Sequence, residues 1–503
     1  MNVDLSKYDD EHTRRIEELT KKVRNVYNSI IRQAVKYGLS VNFDPAKGEI
    51  FDFDRFPKLK KAIEELFLGM HDDLLSLVES YIAIEWALSD EKNAYLLEKI
   101  MEATKLSKEE LEAFRPRNEE ALSAFLKRTH NGMNLSDRVW KLTGQFKTEL
   151  EIALSVGIEQ GKSAQQLSRD IRSYLNQPDK LFRRVRDQYG NLKLSKAAEA
   201  YHPGQGVYRS SYKNAMRVTR TEVNMAYRSA DHERWKSEYF VIGIEIRLSN
   251  NHTCNGEPFF DICDMLKGKY PKTFKFTGWH PMCRCYAVPI LCTWEELLDY
   301  MKKKRSGEDV SNYKFKGEVK ELPEAFTSWA SKNAARVARW KSKPYFITDN
   351  EHIPEVKYHL YNPEKWQKVA YYKDSSGYVV SDLQRIEHSR ISKNETAKYE
   401  KELSMCRVLG KNGYRVEMLE EIPGISSPDI TINGIKADLK SLSSANNIER
   451  HAKDAIRKQG ADAVVFHFSK ETEDIHIKLL KLQRMGYKIF YFFFDKEDKV
   501  HTL

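Results

Sequence analysis

Through the first 240 residues apolar side chains recur at three- and four-residue steps, the spacing that lines one face of an α-helix. Ile16, Leu19, Val23, Val26, Ile30 and Ala34 form one such stripe, and Ile63, Leu66, Phe67, Met70, Leu74 and Leu77 a second. Between them VNFDPAKGEIFDFDRFP carries the Pro and Gly that break helices. A third helix is predicted from about Leu135 to about Gly157, opened by capping residues at Asn134, Ser136 and Asp137. Gly161-Lys162-Ser163 closes it and caps the next helix, AQQLSRDIRSYL. A basic, loop-like stretch follows, and then a long helix from about residue 210 to 238.

From Phe240 the period changes. VIGIEIRL alternates and is rich in Ile and Val, so it reads as a strand. After it come a helical WEELLDYMKKK, a linker-like RSGEDVSNYKFKGEVKELP, a helical FTSWASKNAARVARW, an extended KPYFITDN and a polar stretch to about residue 392. The last 110 or so residues read helix, three strands, helix, strand, helix, strand. That α/β pattern, with apolar strands of its own, predicts a separate domain. The expected architecture is multidomain: a mainly α region over 1–240, a small α+β Cys/His knuckle over 241–300, a linker and extended region over 301–392, and an α/β domain over 393–503.

Composition adds bounds. At about 150 residues per domain, 503 residues suggest roughly three domains. Hydrophobic residues at 41% and charged ones at 31% fit a folded globular chain. The charge balance, 83 − 73 = +10, is compatible with a nucleic-acid partner. No apolar stretch approaches the ~20 residues that span a bilayer, and MNVDLSKYDDEHTRR holds no signal-peptide core. Neither membrane embedding nor secretion by the general route is expected. Six cysteines exclude a disulfide scaffold, and five of them between Cys254 and Cys292 mark a local site.

Cys254 and Cys263, followed by His280, Cys283 and Cys285, offer thiolate and imidazole donors suited to a tetrahedral, structural Zn²⁺. Four of these five close such a site. Spacing favours Cys283 with either His280 or Cys285 and leaves that choice open. The zinc-deaminase and H-E-x-x-H metalloprotease patterns are absent. Arg220-Thr221-Glu222 places an Arg and a Glu two apart on a helix, hence on different faces, and buried polar contacts are expected of them rather than chemistry.

Residues from about 134 to 290 resemble the Mu F-like minor head (phage head-morphogenesis) proteins. The likeness rests on NLSDRVW, the Gly-Lys-Ser turn at 161–163, Arg220-Thr221-Glu222 and His280-Pro281-Met282-Cys283-Arg284-Cys285. The eight residues between Cys254 and Cys263 depart from the family's closer cysteine spacing. The resemblance implies an internal virion protein near the portal that works with portal and capsid or scaffold proteins and meets packaged DNA.

The C-terminal chemistry lies in SSPDITINGIKADLKS. Asp438 and Lys440, two apart on a strand, share a face, and a turn at Asn433-Gly434 brings Asp429 alongside Asp438. Paired carboxylates are hard oxygen ligands for Mg²⁺ or Mn²⁺. Such an ion polarises a phosphodiester and acidifies its bound water, while a lysine orients that water or offsets developing charge. This is the PD-(D/E)xK nuclease pattern, with Glu402 on the preceding helix. Residues 395–470 resemble the nuclease domains that end contact-dependent inhibition (CdiA-type) toxins, many of which cleave tRNA. The matching residues are Glu402, Gly413-Tyr414-Arg415-Val416, Pro428-Asp429-Ile430, Asp438-Leu439-Lys440 and Lys458-Gln459. The resemblance implies a restriction-endonuclease-like fold for 393–503. It puts Glu402, Asp429 and Asp438 on the metal, Lys440 at the attacking water and Gln459 in the catalytic set, with Lys453 and Arg457 on nucleic acid. His451 and Arg450 are further phosphate contacts or plain helix-surface charge.

Together these readings describe a phage or prophage minor head protein carrying a metal-dependent nuclease toxin, acting most naturally on tRNA and requiring a cognate immunity protein. Its expected places are the procapsid interior and the bacterial cytoplasm. The alternatives are an assembly protein with an inactive nucleic-acid-binding tail, or a nuclease that cleaves DNA.

Overall fold

The computed structural model describes residues 1, 3–47, 51–104, 119–178, 185–186, 189–193, 200–204, 207–249, 252–254, 257–421, 425–494, 496 and 499–503. They form two compact units: Met1–Gly268 with Lys275–Val319, and Lys269–Phe274 with Lys320–Leu503. Among the described residues no helix is long and apolar enough to cross a membrane.

The first unit is mainly helical: α1 (Ser6–Leu39), α2 (Pro57–Thr104), α3 (Glu119–Lys127), α4 (Leu135–Glu159), α5 (Ala164–Asn176) and α6 (Ser211–Trp235). Ile16, Leu19, Val23 and Ile30 of α1 and Ile63, Phe67, Met70 and Leu74 of α2 are buried, as their spacing predicts. Burying side chains of this size stabilises the fold by about 1.5–3 kcal/mol each. Asn134 and Asp137 cap α4 reciprocally, each side chain accepting the other's backbone N–H. Ser163 and Gln166 do the same for α5. Strand β1 (Val241–Arg247) pairs antiparallel with β2 (Tyr286–Leu291), and α7 (Trp294–Arg305) follows. Apart from Lys269–Phe274, the knuckle expected as a separate domain over 241–300 belongs to this unit, because α6 is buried along most of its length and extends polar side chains into it.

The second unit holds α8 (Glu324–Ala338), α9 (Pro354–Leu360), β3 (Trp366–Tyr372), β4 (Gly377–Asp382), α10 (Leu383–Ser389) and α11 (Lys393–Lys411). It continues with β5 (Arg415–Met418), β6 (Ile430–Ile432), β7 (Ile435–Leu442), α12 (Ile448–Arg457), β8 (Ala463–Phe468), α13 (Glu473–Arg484), β9 (Lys488–Phe493) and β10 (His501–Thr502). The strands make one sheet in the order β10-β9-β8-β7-β6-β5-β4-β3. Strands β4, β5, β7, β8 and β9 run parallel, and β3, β6 and β10 oppose them.

Alternation along the strands divides the two faces. One face carries Val416, Ile432, Leu439, Val465 and Phe492, packed with Leu403, Cys406 and Leu409 of α11. On the other, Val464, Phe466 and Tyr491 pack against Ile448 and Ala452 of α12 and Leu479 of α13, while Tyr378 and Val380 join Tyr361 in a smaller cluster. The intervening positions on that face are polar: Glu417, Thr431, Asp438 and Lys440.

Two expectations are corrected. Residues 301–392 are not a linker: from Lys320 they build the second unit, including α8, α9, α10 and two strands of its sheet. Every residue of β4 (GYVVSD) is buried and β3 (WQKVAYY) is half-buried except at the exposed Gln367, so neither shows the alternation that marks a one-sided strand. KPYFITDN is not extended, since Pro344 opens a helical turn over Tyr345–Thr348.

Candidate functional site

Asn433 (φ 51°) and Gly434 (φ 83°) form the left-handed two-residue turn between β6 and β7. Ile432 pairs with Ile435, Thr431 with Lys436 and Ile430 with Ala437. Continued by one residue, this register sets Asp429 opposite Asp438. There β6 ends, and the Asp429 carboxylate takes over the ladder: Leu439 N–H donates to its Oδ2 at 2.8 Å. Asp438 is fully buried, and neither of its oxygens takes a hydrogen bond from a backbone N–H or a neutral side chain among the described residues. Lys440 Nζ forms an ion pair with Asp438 Oδ2. Burial first, and the facing Asp429 carboxylate next, push Asp438 up to about 7, with Lys440 pulling the other way. The cluster sits beside the carboxyl ends of β4 and β5, with Asp438 midway along β7.

Glu402 on α11 is linked to Asp429 through a residue that sequence reading missed, and among the described residues Glu402, Asp429 and Asp438 do not bring three ligand atoms within 4.8 Å of one another. Arg385 on α10 is 3% exposed. Its Nη1 donates to the carbonyls of Leu419 (2.8 Å) and Asp429 (2.6 Å). Its Nη2 donates to Glu402 Oε2 at 2.6 Å and lies 3.9 Å from Asp429 Oδ1. Burial raises the Glu402 carboxyl above its ordinary range; the neighbouring Asp429 adds to this and Arg385 opposes it.

The remaining sequence-derived residues lie on or just after α12. Gln459 keeps a buried amide oxygen without a partner, and among the described residues no hydrogen bond joins it to the carboxylates. Lys453 and Arg457 are exposed. His451 is half-buried and lies within the field of Lys440: burial, then Lys440, lowers its imidazole below the usual value.

In the first unit Cys263 Sγ lies 3.1 Å from His280 Nε2 and 3.7 Å from Cys283 Sγ. The Cys285 thiol interacts with both other sulfurs. The side chain of Cys254 lies outside the described residues. A carbonyl oxygen only accepts, so the 2.8 Å contact from His280 Nδ1 to Pro281 O fixes the hydrogen on Nδ1 and aims the Nε2 lone pair at Cys263. A tetrahedral zinc site with Zn–S near 2.3 Å has S···S edges of about 3.8 Å, so the observed sulfur spacing fits that ion. Contact with the neighbouring thiols is the main cause that holds Cys283 well below a normal thiol, with Arg228 and His280 adding to it, while Cys263 is pushed up. His252 and Asp261 extend this group on one side.

Helix α6 holds the knuckle. Arg228 donates to three carbonyls, Thr277 (2.9 Å), Cys283 (2.6 Å) and Cys285 (2.6 Å). Thr221 Oγ1 accepts from Met282 N–H at 3.0 Å. Gly278 has no room for a side chain, because a Cβ there would lie 2.8 Å from Arg228 Nη1. Glu222 turns away and pairs with Arg128 and Arg138. Glu222 and Thr221 therefore make polar contacts, as expected, while the buried Nε of Arg220 has no hydrogen-bond partner among the described residues.

A third group, His388, Glu395 and Glu421, brings one imidazole nitrogen and two carboxylate oxygens within 4.8 Å of one another in the second unit. Glu421 is also ion-paired with Lys398. Compared with protein-family models, curated proteins and solved structures, the chain gives no match.

Proposed function

We propose that the second unit is a divalent-cation-dependent nuclease, carried by a first unit of the phage minor-head type. The observation that carries this reading is the facing of Asp429 and Asp438 across the β6–β7 hairpin, with both Asp438 oxygens buried and the Lys440 ammonium on the same face as their counter-charge. A carboxylate so placed has given up water for one ammonium while facing a second carboxylate, which is costly unless a cation completes the pair. Asp429, Asp438 and Glu402 are the residues that would hold Mg²⁺ or Mn²⁺, and such an ion supplies an acidified water and a polarised phosphodiester. Lys440 supplies a positive charge two residues from Asp438 on the open face, where it orients the attacking water and stabilises charge developing on the phosphate. His451, Lys453 and Arg457 on α12 and Gln459 just after it provide the flank along which a nucleic-acid backbone is drawn in. Transfer RNA is the proposed substrate.

The first unit is proposed as an internal virion component that acts in head assembly with portal and capsid or scaffold proteins and packaged DNA. Its thiol–imidazole knuckle, held to α6 by Arg228 and Thr221, would take a structural Zn²⁺. A protein packed in the head would enter the bacterial cytoplasm with the genome, and a producing cell would need an immunity protein.

The test uses the full chain and its Lys440→Ala variant with total tRNA and with plasmid DNA, in Mg²⁺ and in EDTA. Cleavage of tRNA that needs both Mg²⁺ and Lys440 supports the reading. Cleavage of DNA alone moves the substrate to DNA. No cleavage of either by a folded chain refutes the enzymatic reading and leaves an assembly protein with a silent tail.

A further inference from the structure

Resting on the cluster reading above, we infer that Arg385 is its positioning residue: the guanidinium holds the Glu402 carboxylate and the Asp429 main chain, and so fixes the strand end from which the Asp429 carboxylate meets Asp438 and a cation. Strand β4 ends at Asp382, whose carboxylate accepts from Gln384 N–H at 2.9 Å and so starts α10 at the strand's end. One turn later Arg385 enters the notch between the end of β5 and the start of β6. The planar fork then divides its work. Nη1 ties the Leu419 and Asp429 carbonyls together, and Nη2 serves the Glu402 carboxylate beside Asp429 Oδ1.

Arg228 in the first unit shows what a purely structural arginine does, since all three of its hydrogen bonds go to backbone carbonyls. Arg385 divides its donors between carbonyls and a carboxylate, as Arg128 does at Glu222, but the carboxylate it holds stands beside Asp429. Lysine keeps the charge but lacks the planar fork that serves acceptors after β5, before β6 and on α11 at once, because its donors radiate from a single nitrogen.

The experiment compares full-length wild type, Arg385→Lys and Arg385→Met. Mg²⁺ is titrated calorimetrically into each EDTA-stripped chain, and tRNA cleavage is followed against Mg²⁺ and against substrate. The expected result is Mg²⁺ affinity at least tenfold weaker in Arg385→Lys and weaker again in Arg385→Met. Turnover falls in the same order, and the substrate KM is unchanged. Either variant binding Mg²⁺ as tightly as wild type, or more tightly, overturns the inference. Loss of the folded state in both variants also overturns it, making Arg385 a structural pin. A wild type that neither binds Mg²⁺ nor cleaves refutes the cluster reading itself, and this inference with it. A wild type that does both beside an unaltered Arg385→Lys refutes the role of Arg385 alone.

Discussion

Glu222 in the first unit and Asp438 in the second are both buried carboxylates, 1% and 0% exposed, and they keep opposite company. Glu222 has a guanidinium on each oxygen, from Arg128 and Arg138, which tie α6 to α4 and to the residue just past α3. Asp438 has one ammonium, from Lys440, and faces a second carboxylate. The first arrangement is complete. The second carries surplus negative charge in a place closed to water. Burying an unpaired charge costs several kcal/mol, so the incomplete carboxylate is the one held for something outside the chain. Burial alone does not mark a functional acid; missing partners do.

Removing Glu222 should therefore do the greatest damage. Glu222→Gln leaves two arginines half-paired and should destabilise the first unit by about 3–5 kcal/mol, seen as an early melting transition. A loss below about 1 kcal/mol would remove Glu222 from the role of pin. Arg228→Met strips the donors from three carbonyls of the knuckle and should cost about 2–4 kcal/mol, with zinc content measured on the same sample.

Asp438→Asn should have the opposite sign. The folded-state Asp438 carboxyl sits at about 7 against an ordinary 3.8, so ionising it costs stability, and the cost grows as pH rises from about 4 to 7. In EDTA at pH 8 the Asn variant should be more stable than wild type by about 1–3 kcal/mol, converging with it near pH 4. Equal melting at pH 8 would show that Asp438 is already satisfied. Gly434→Ala, at φ 83°, should cost only about 1–2 kcal/mol, but by loosening the turn that sets Asp429 against Asp438 it should lower cleavage more than stability.

Much of the carboxylate cluster could be read from the chain because it is local. Asn433-Gly434 is turn chemistry that fixes a two-residue hairpin, and counting outward from it pairs Asp429 with Asp438. Lys440 follows from strand alternation. Cys263, His280 and Cys283 were accessible in the same way, as soft donors crowded into a short stretch. Arg385 was not. It lies 53 residues before Asp438, on a short helix inside a segment whose buried strands lack alternation, and an isolated arginine carries no local signal of its partners. The strand YVVSD after the Asp374-Ser375-Ser376-Gly377 turn was the available clue, since it would have extended the sheet and placed α10 at its end. The clamp of Arg228 on the knuckle was hidden for the same reason, because its acceptors are backbone carbonyls about 50 residues away.

The most direct test of the central claim is a calorimetric titration of Mg²⁺ into the EDTA-stripped full chain, repeated with Asp429→Asn/Asp438→Asn. The account predicts saturable binding by the wild type that disappears in the double variant while both melting transitions survive. Binding that persists undiminished in the double variant, or a wild type that binds no Mg²⁺, would contradict it.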